Sequence, residues 1–162
     1  MKTALMAAAC ALAACGGSSG PATRFTATLS SANEVPALQN QVPAATGNAT
    51  YTVLDGGTGV SYTVTFSGMS SKPSMGHIHV GTSTESGGVV VPFTIPTNAT
   101  TSGTITGTFT ATDVRAGSTP SQTITAGDMN SMLAAMRARG TYTNLHTSSN
   151  PAGEIRGQNQ PQ

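Results

Sequence analysis

The chain has 162 residues, which fits a single globular domain, and charged residues make up only 8% of it. Apart from Lys2, six basic residues balance six acidic residues and form no basic run, so the sequence predicts no nucleic-acid partner. Serine, threonine and glycine supply the polar surface instead, which favours an extracytoplasmic β-protein.

Residues 1–14 are typical of a secretory signal peptide, with a positive start at Lys2 and an alanine-rich apolar stretch too short to span a bilayer. The sequence Leu-Ala-Ala-Cys ending at Cys15 resembles the lipobox of bacterial lipoproteins. That resemblance implies cleavage before Cys15, acylation of this cysteine and a lipid anchor in the membrane. Residues 15–23 would then be the lipidated cysteine and a Gly/Ser-rich linker.

By the same resemblance, Gly16 favours the outer membrane, because a retention signal for the inner membrane would place aspartate after the cysteine. The anchored chain would therefore lie in the cell envelope. The alternative is a soluble secreted protein in which Cys15 carries no lipid.

From residue 24 onward, alternating apolar and polar residues predict short β-strands separated by turns. The Gly-rich turn at 55–59 joins two such runs into a hairpin, and Pro92 places its own strand at a sheet edge. The predicted strands are 25–29, 49–54, 60–66, 76–80, 89–95, 104–110, 141–147 and 154–158. A polar, frayed tail is expected at 159–162.

Only residues 126–139 predict a helix. Thr125, with Asp128 three residues later, resembles a capping box, and Gly140 ends the helical pattern. The apolar face consists of Met129, Met132, Leu133 and Met136, which we interpret as core rather than as a soft-metal site. The fold class is therefore all-β, an antiparallel immunoglobulin-like or Greek-key sandwich with one short helix before the last two strands.

Four motifs resemble those of one known family. They are Asn-Glu-Val-Pro at 33–36, Gly-His-Ile-His at 76–79, the Tyr-x-Asn-x-His-Thr segment at 142–147, and Pro-Ala-Gly-Glu-Ile-Arg-Gly-Gln at 151–158. Their order and spacing resemble the CHRD domain, named from repeats in chordin, over residues 24–158. The resemblance implies an immunoglobulin-like β-fold of unestablished molecular activity, and hence a binding or scaffold module rather than an enzyme.

The three histidines support two hypotheses. His77 and His79 are two residues apart on a predicted strand and so share a face, and a fold that brings His146 beside them collects every imidazole in the chain. The first hypothesis is a copper or zinc site, because neutral imidazole is a common ligand of both metals. The His-x-His pair also resembles part of copper-zinc superoxide dismutase, although that family's remaining ligands and disulfide have no counterpart here.

The second hypothesis, which we favour from the sequence, is a hydrogen-bonded structural cluster that joins the two ends of the sandwich. Its members would be Glu34, His77, His79, Asn144, His146, Glu154 and Arg156. Within it we predict that Arg156 forms an ion pair with Glu34, with Glu154 as the rival partner, because a buried arginine requires a carboxylate. No nucleophile stands beside a base in the sequence, so no catalytic residue is predicted.

Overall fold

The computed structural model describes residues 20–39, 42 and 44–162 of the chain. The predicted signal peptide, Cys15 and the linker as far as residue 19 lie outside the described residues. The elements are β1 (Arg24–Ser30), β2 (Thr46–Val53), β3 (Gly59–Ser67), β4 (Pro73–Val80), β5 (Val89–Pro92), β6 (Gly103–Thr110), β7 (Gly117–Ser118), β8 (Thr123–Ile124), α1 (Met129–Arg137), β9 (Thr141–Thr147), β10 (Ile155–Gln158) and β11 (Gln160–Pro161). In this part of the chain, no helix has the length and apolar character needed to cross a membrane.

Nine of the strands form one antiparallel sheet in the order β5-β4-β9-β10-β1-β2-β3-β6, with β11 also paired to β1. The remaining two strands, β7 and β8, form a small separate hairpin. The first strand therefore lies between the last strands of the chain and β2. This arrangement confirms the predicted all-β, antiparallel fold class.

The sheet curls so that its two ends meet over one apolar core. The ring of Tyr62 in β3 stacks on Phe93, which follows β5 at the opposite end of the sheet, with 4.6 Å between ring centroids. Across the interior, the hydroxyls of Tyr51 in β2 and Thr143 in β9 are 2.5 Å apart. Burial of each large apolar side chain in this core contributes roughly 1.5–3 kcal/mol of stability.

The predicted hairpin is present as β2 and β3, and its register pairs Tyr51 with Tyr62. The apolar face predicted for β3 is buried in the core. At the far end of the sheet, β5 is an edge strand as predicted from Pro92, which has no backbone N–H to donate.

Helix α1 is shorter than predicted and begins at a different cap. Asp128 is the N-cap, and its carboxylate accepts a hydrogen bond of 2.8 Å from the backbone N–H of Asn130. The predicted capping box at Thr125 is therefore wrong; Thr125 instead precedes the helix in a turn, where its carbonyl accepts from the N–H of Asp128. The apolar face of the helix is buried in the core as interpreted.

Residues 159–162, predicted to form a frayed tail, belong to the sheet. Strand β11 pairs with β1, and Phe25 lies opposite Pro161. Asn159 is fully buried, accepting a hydrogen bond from the hydroxyl of Thr143 at 2.8 Å and donating to that of Thr141 at 3.0 Å. The polar side chain of Asn159 is therefore satisfied by buried hydrogen bonds, whereas Gln162 is exposed.

Candidate functional site

Strands β4, β9 and β10 have a polar face on the side opposite to their core face. Their registers align His77 with Asn144 and Arg156, and they align His79 with Tyr142 and Gln158. Side chains alternate along a strand, so the intervening residues, Ile78 among them, point into the core. The polar face carries Met75, His77, His79, Tyr142, Asn144, His146, Arg156 and Gln158.

Two loops cover most of this polar face and bury it. The first contains Glu34, which is only 5% exposed and accepts a hydrogen bond of 3.3 Å from the side chain of Asn144. The second, residues 81–88, we call the covering loop. A Cβ on Gly87 in this loop would overlap the carbonyl oxygen of Val80, so glycine permits its close approach to β4.

The three histidines meet on the polar face. His77 Nδ1 lies 3.1 Å from His146 Nε2, and one nitrogen of each of the three rings lies within 4.8 Å of the others. Strands β4 and β9 are neighbours in the sheet. The predicted placement of the three histidines, on one face and on adjacent strands, is confirmed.

Backbone carbonyls fix the tautomers of two of these rings. His79 Nδ1 lies 2.9 Å from the carbonyl oxygen of Gly87, and His146 Nδ1 lies 3.0 Å from that of Pro151. Because a carbonyl only accepts, each Nδ1 carries the proton and each Nε2 of the neutral ring has a lone pair. Donation of the second ring N–H to a carbonyl is how metal-bound histidines are commonly oriented.

The two Nε2 lone pairs have different surroundings. That of His146 accepts from His77 Nδ1, whereas His79 Nε2 is buried and has no hydrogen-bond partner among the described residues. An unsatisfied buried acceptor costs roughly 1–3 kcal/mol of stability. The free lone pair of His79 therefore marks a position where a ligand would restore a lost interaction.

All three rings are held neutral at physiological pH. Burial, with a smaller contribution from the neighbouring His146, lowers the pKa of His77 and of His79 to about 4. Burial also lowers the pKa of His146. A metal ion would thus not compete with protons for these imidazoles near pH 7.

Tyr142 belongs to the site, although the sequence reasoning gave it no role. Its ring stacks on His79 with 4.9 Å between centroids and 6° between planes, and the guanidinium carbon of Arg156 lies 3.5 Å from the centroid of the same tyrosine ring. Its hydroxyl accepts from the backbone N–H of Gly87. The period of two that relates Tyr142 to Asn144 and His146 places it on their face.

Glu85 fixes the covering loop, and this role was also missed. Its Oε2 accepts from the backbone N–H of Thr82 at 3.0 Å and from the hydroxyl of Ser121 at 2.5 Å, which links the loop to the β7–β8 connection. These hydrogen bonds, that of Ser121 foremost, lower the pKa of Glu85 to about 2. The sequence offers only a Ser/Thr/Gly-rich loop at this place, without a signal for the distant partner.

Arg156 does not form the predicted direct ion pair with Glu34. Its Nη2 donates at 2.7 Å to the carbonyl oxygens of both Thr82 and Glu85, because the covering loop presents those acceptors beside its stacked guanidinium. No hydrogen bond joins Arg156 and Glu34 in the described structure, and Arg156 Nη1 and Glu34 Oε1 are both buried without partners. Burial raises the pKa of Glu34 to about 7, while Asn144 and Arg156 oppose the rise.

Glu154, the rival partner, is directed away from Arg156. It is fully buried and accepts from the hydroxyl of Thr147 at 2.5 Å, the side chain of Asn150 at 2.8 Å and the backbone N–H of Ser70 at 2.6 Å. Burial acts to raise its pKa, but the hydrogen bonds together lower it. Glu154 thus connects the loop before β4 with the turn after β9.

Comparison with known proteins gives a family match and no close relative. A family model for the CHRD domain matches residues 25–159, a range that contains all three histidines, Glu34, Glu154 and Arg156. No curated protein matches the chain, and no solved structure matches it.

Proposed function

Because this chain belongs to the CHRD domain family over residues 25–159, we propose that it is an extracytoplasmic binding module whose ligand is a copper or zinc ion. His77, His79 and His146 would hold the ion. The observation that carries this proposal is the convergence of three neutral imidazoles, with one nitrogen of each within 4.8 Å of the others. Neutral imidazole is a preferred ligand for both metals.

The distances fit one ion after a small movement. Nitrogens about 2.0–2.1 Å from a tetrahedral ion lie about 3.3 Å from one another. The separation of 3.1 Å between His77 Nδ1 and His146 Nε2 satisfies this requirement once the proton that His77 Nδ1 donates has moved to His77 Nε2. The widest separation, 4.8 Å, must close by about 1.5 Å for all three nitrogens to bind one ion.

A scaffold role is the second candidate, and the hydrogen bonds of Glu154 favour it. They join segments far apart in the sequence, as in Ser70 with Glu154, 84 positions apart. Such a network holds the polar face in register whether or not an ion binds. The two roles are compatible, since a site of fixed geometry requires rigid support.

Metal analysis of untagged protein tests the primary proposal. We expect one equivalent of copper or zinc after purification, and about one equivalent rebound after chelation and dialysis. His79→Gln should weaken binding by about 100-fold or more, beyond the 10–100-fold typical for residues that only orient a ligand. Asn98→Gln, in an exposed loop, is the matched control and should bind as the wild type does. Wild-type protein that binds neither metal would contradict the proposal.

We further propose that acylated Cys15 tethers the module to the outer membrane. The lipobox-like residues 12–15 and the Gly/Ser-rich linker support this anchor. Globomycin should block processing of the precursor, and Cys15→Ser should release the protein from the membrane fraction. A Cys15→Ser protein that fractionates like the wild type would contradict lipid anchoring.

A further inference from the structure

We propose that Met75 is a fourth, thioether ligand of the histidine site and that it makes the site selective for Cu(I). This inference rests on the proposed function and identifies the metal. Met75 lies directly opposite His146 in the β4–β9 register and precedes His77 by two residues on β4. Both relations place its side chain on the polar face, beside the histidines.

The exposure of Met75 is the second observation. It is 43% exposed and is one of two large apolar side chains exposed in the described part of the chain, the other being Leu54. His79 and His146 are buried, whereas His77 is half-buried. The opening of the cluster to solvent therefore lies on the side of His77 and Met75, where an ion would enter.

The thioether has the reach to complete the coordination. Opposed residues in an antiparallel pair have Cβ atoms about 4.5–5.5 Å apart. Methionine is unbranched with three rotatable bonds, so its sulfur can approach an ion held by His146 through a rotamer change without backbone movement. An exposed methionine has few packing contacts to lose in that change.

The chemistry of the remaining neighbours favours the thioether as the fourth ligand. Among the described residues, no cysteine or carboxylate joins the three histidines in a group that could hold an ion. Glu154, the fully buried carboxylate of the neighbouring strand connection, is occupied by Ser70, Thr147 and Asn150. A thioether is a soft ligand that selects Cu(I) and adds little for Zn²⁺.

The matched substitution is Met75→Leu, which keeps the size and apolar character and removes the sulfur. Cu(I) affinity is measured by anaerobic competition with bicinchoninate, and Zn²⁺ affinity by competition with a zinc chelator. We expect Met75→Leu to weaken Cu(I) binding by about tenfold or more and to leave Zn²⁺ binding within about twofold. Met69→Leu, at a buried methionine outside β4, is the control and should change neither.

The outcomes separate this inference from the proposed function. Equal Cu(I) affinity in Met75→Leu and wild type, with metal still bound, overturns the role of Met75 and leaves the histidine site intact. A parallel loss of Cu(I) and Zn²⁺ in Met75→Leu overturns the selectivity. If wild-type protein binds none of these ions, the proposed function fails first and this inference falls with it.

A second readout does not depend on affinity. Met75 is exposed and should be oxidised readily by dilute peroxide, which peptide mass spectrometry detects as a sulfoxide. Ag⁺, used as a redox-inert substitute for Cu(I), should protect Met75 in the wild type and should not protect it in His79→Gln. Unchanged oxidation of wild-type Met75 with Ag⁺ bound would overturn the proposal.

Discussion

At the scale of single residues, the lowered pKa values of the histidines determine how metal binding responds to acid. Burial lowers the pKa of both His77 and His79 to about 4, so protons compete for these rings only in strong acid. We expect protonation of His77 and His79 to leave metal affinity nearly unchanged from pH 7.5 to about 5 and to lower it below that pH, by about tenfold per pH unit for each ring that protonates. Affinities measured across this range in a non-coordinating buffer test the prediction.

An affinity that begins to fall near pH 6.5, the ordinary histidine value, would contradict the lowered pKa values. In that case the rings would be solvated rather than enclosed by the covering loop.

The raised pKa of Glu34 predicts that its contribution to folding stability decreases as the pH rises. Its pKa is about 7 in the folded chain, against an ordinary 4.5, so the folded state binds its proton more tightly than the unfolded state does. The resulting stabilisation is complete below pH 4.5 and is lost as the pH rises through 7. Glu34→Gln removes this dependence and should gain up to about 3 kcal/mol relative to wild type between pH 4.5 and 8.

Urea unfolding of both proteins at pH 4.5 and pH 8 measures this difference. The lowered pKa values of the histidines are common to both proteins and cancel in the comparison. If the difference in unfolding free energy between wild type and Glu34→Gln is the same at the two pH values, the pKa of Glu34 is not raised in the folded chain.

Glu34 and Arg156 should still be coupled, although no hydrogen bond joins them. Arg156 lowers the pKa of Glu34, so the two charges interact across the buried region. A double-mutant cycle with Glu34→Gln and Arg156→Met at pH 8 should give a coupling energy of about 1 kcal/mol. Arg156→Met alone should cost about 3–5 kcal/mol, because it removes two hydrogen bonds from a charged group to the carbonyls of Thr82 and Glu85. Strictly additive losses would show that the two side chains do not interact.

At the scale of elements, the covering loop links the two halves of the polar face. It supplies the Gly87 carbonyl that orients His79 and the two carbonyls that accept from Arg156. Glu85 fixes this loop through hydrogen bonds from Ser121 and Thr82, and these hydrogen bonds lower its pKa to about 2. Its contribution to stability is therefore present above pH 4.5 and is lost as the pH falls through 2.

Glu85→Gln should loosen the covering loop and weaken metal binding by about tenfold, because His79 loses part of its orientation. Hydrogen exchange at residues 82–87 should quicken, while exchange in β2 and β3 should not change. Ser83→Ala, in the same loop, is the control and should leave both measurements unaltered. Unchanged exchange in Glu85→Gln would show that the loop is held by other contacts.

Local sequence patterns predicted the regular elements better than the short ones. Alternation over β3 identified its buried face and placed each of its ends within one residue, because a period of two extends over seven residues there. Strands β7 and β8 have two residues each and no period to detect. The start of α1 was misplaced because Thr125 and Asp128 are both good N-cap residues, and the tertiary turn decides between them.

The sequence predicted the histidines of the candidate site but not the partner of Arg156. The spacing of His77 and His79 predicted their shared face, since strand geometry alone determines it. The position of His146 beside them depends on the pairing of β4 with β9, which spacing does not determine. The direct partner of Arg156 was not predictable, because the accepting carbonyls of Thr82 and Glu85 belong to a loop whose path depends on contacts far away in the sequence. Backbone acceptors have no sequence signature, whereas a carboxylate does.

At the scale of the whole molecule, the sheet uses its two faces for different purposes. One face packs the single apolar core, and the outer face of β4, β9 and β10 carries polar side chains buried beneath loops. Side chains of a polar cluster on this outer face can be substituted without creating a cavity in the apolar core. Substitutions such as Met75→Leu are therefore expected to separate binding from stability.

The position of β1 between β2 and the final strands has a consequence for the timing of folding. Thr26 in β1 contacts Gln162, 136 positions later, and β1 pairs with both β10 and β11. Such long-range pairing slows folding to milliseconds or longer, because the entropy of loop closure is lost before the contacts form. One edge of β1 stays unpaired until residues 155–161 are available to pair with it. An unpaired edge can bind a strand of another chain, so the incomplete chain is prone to aggregation until its last strands are in place.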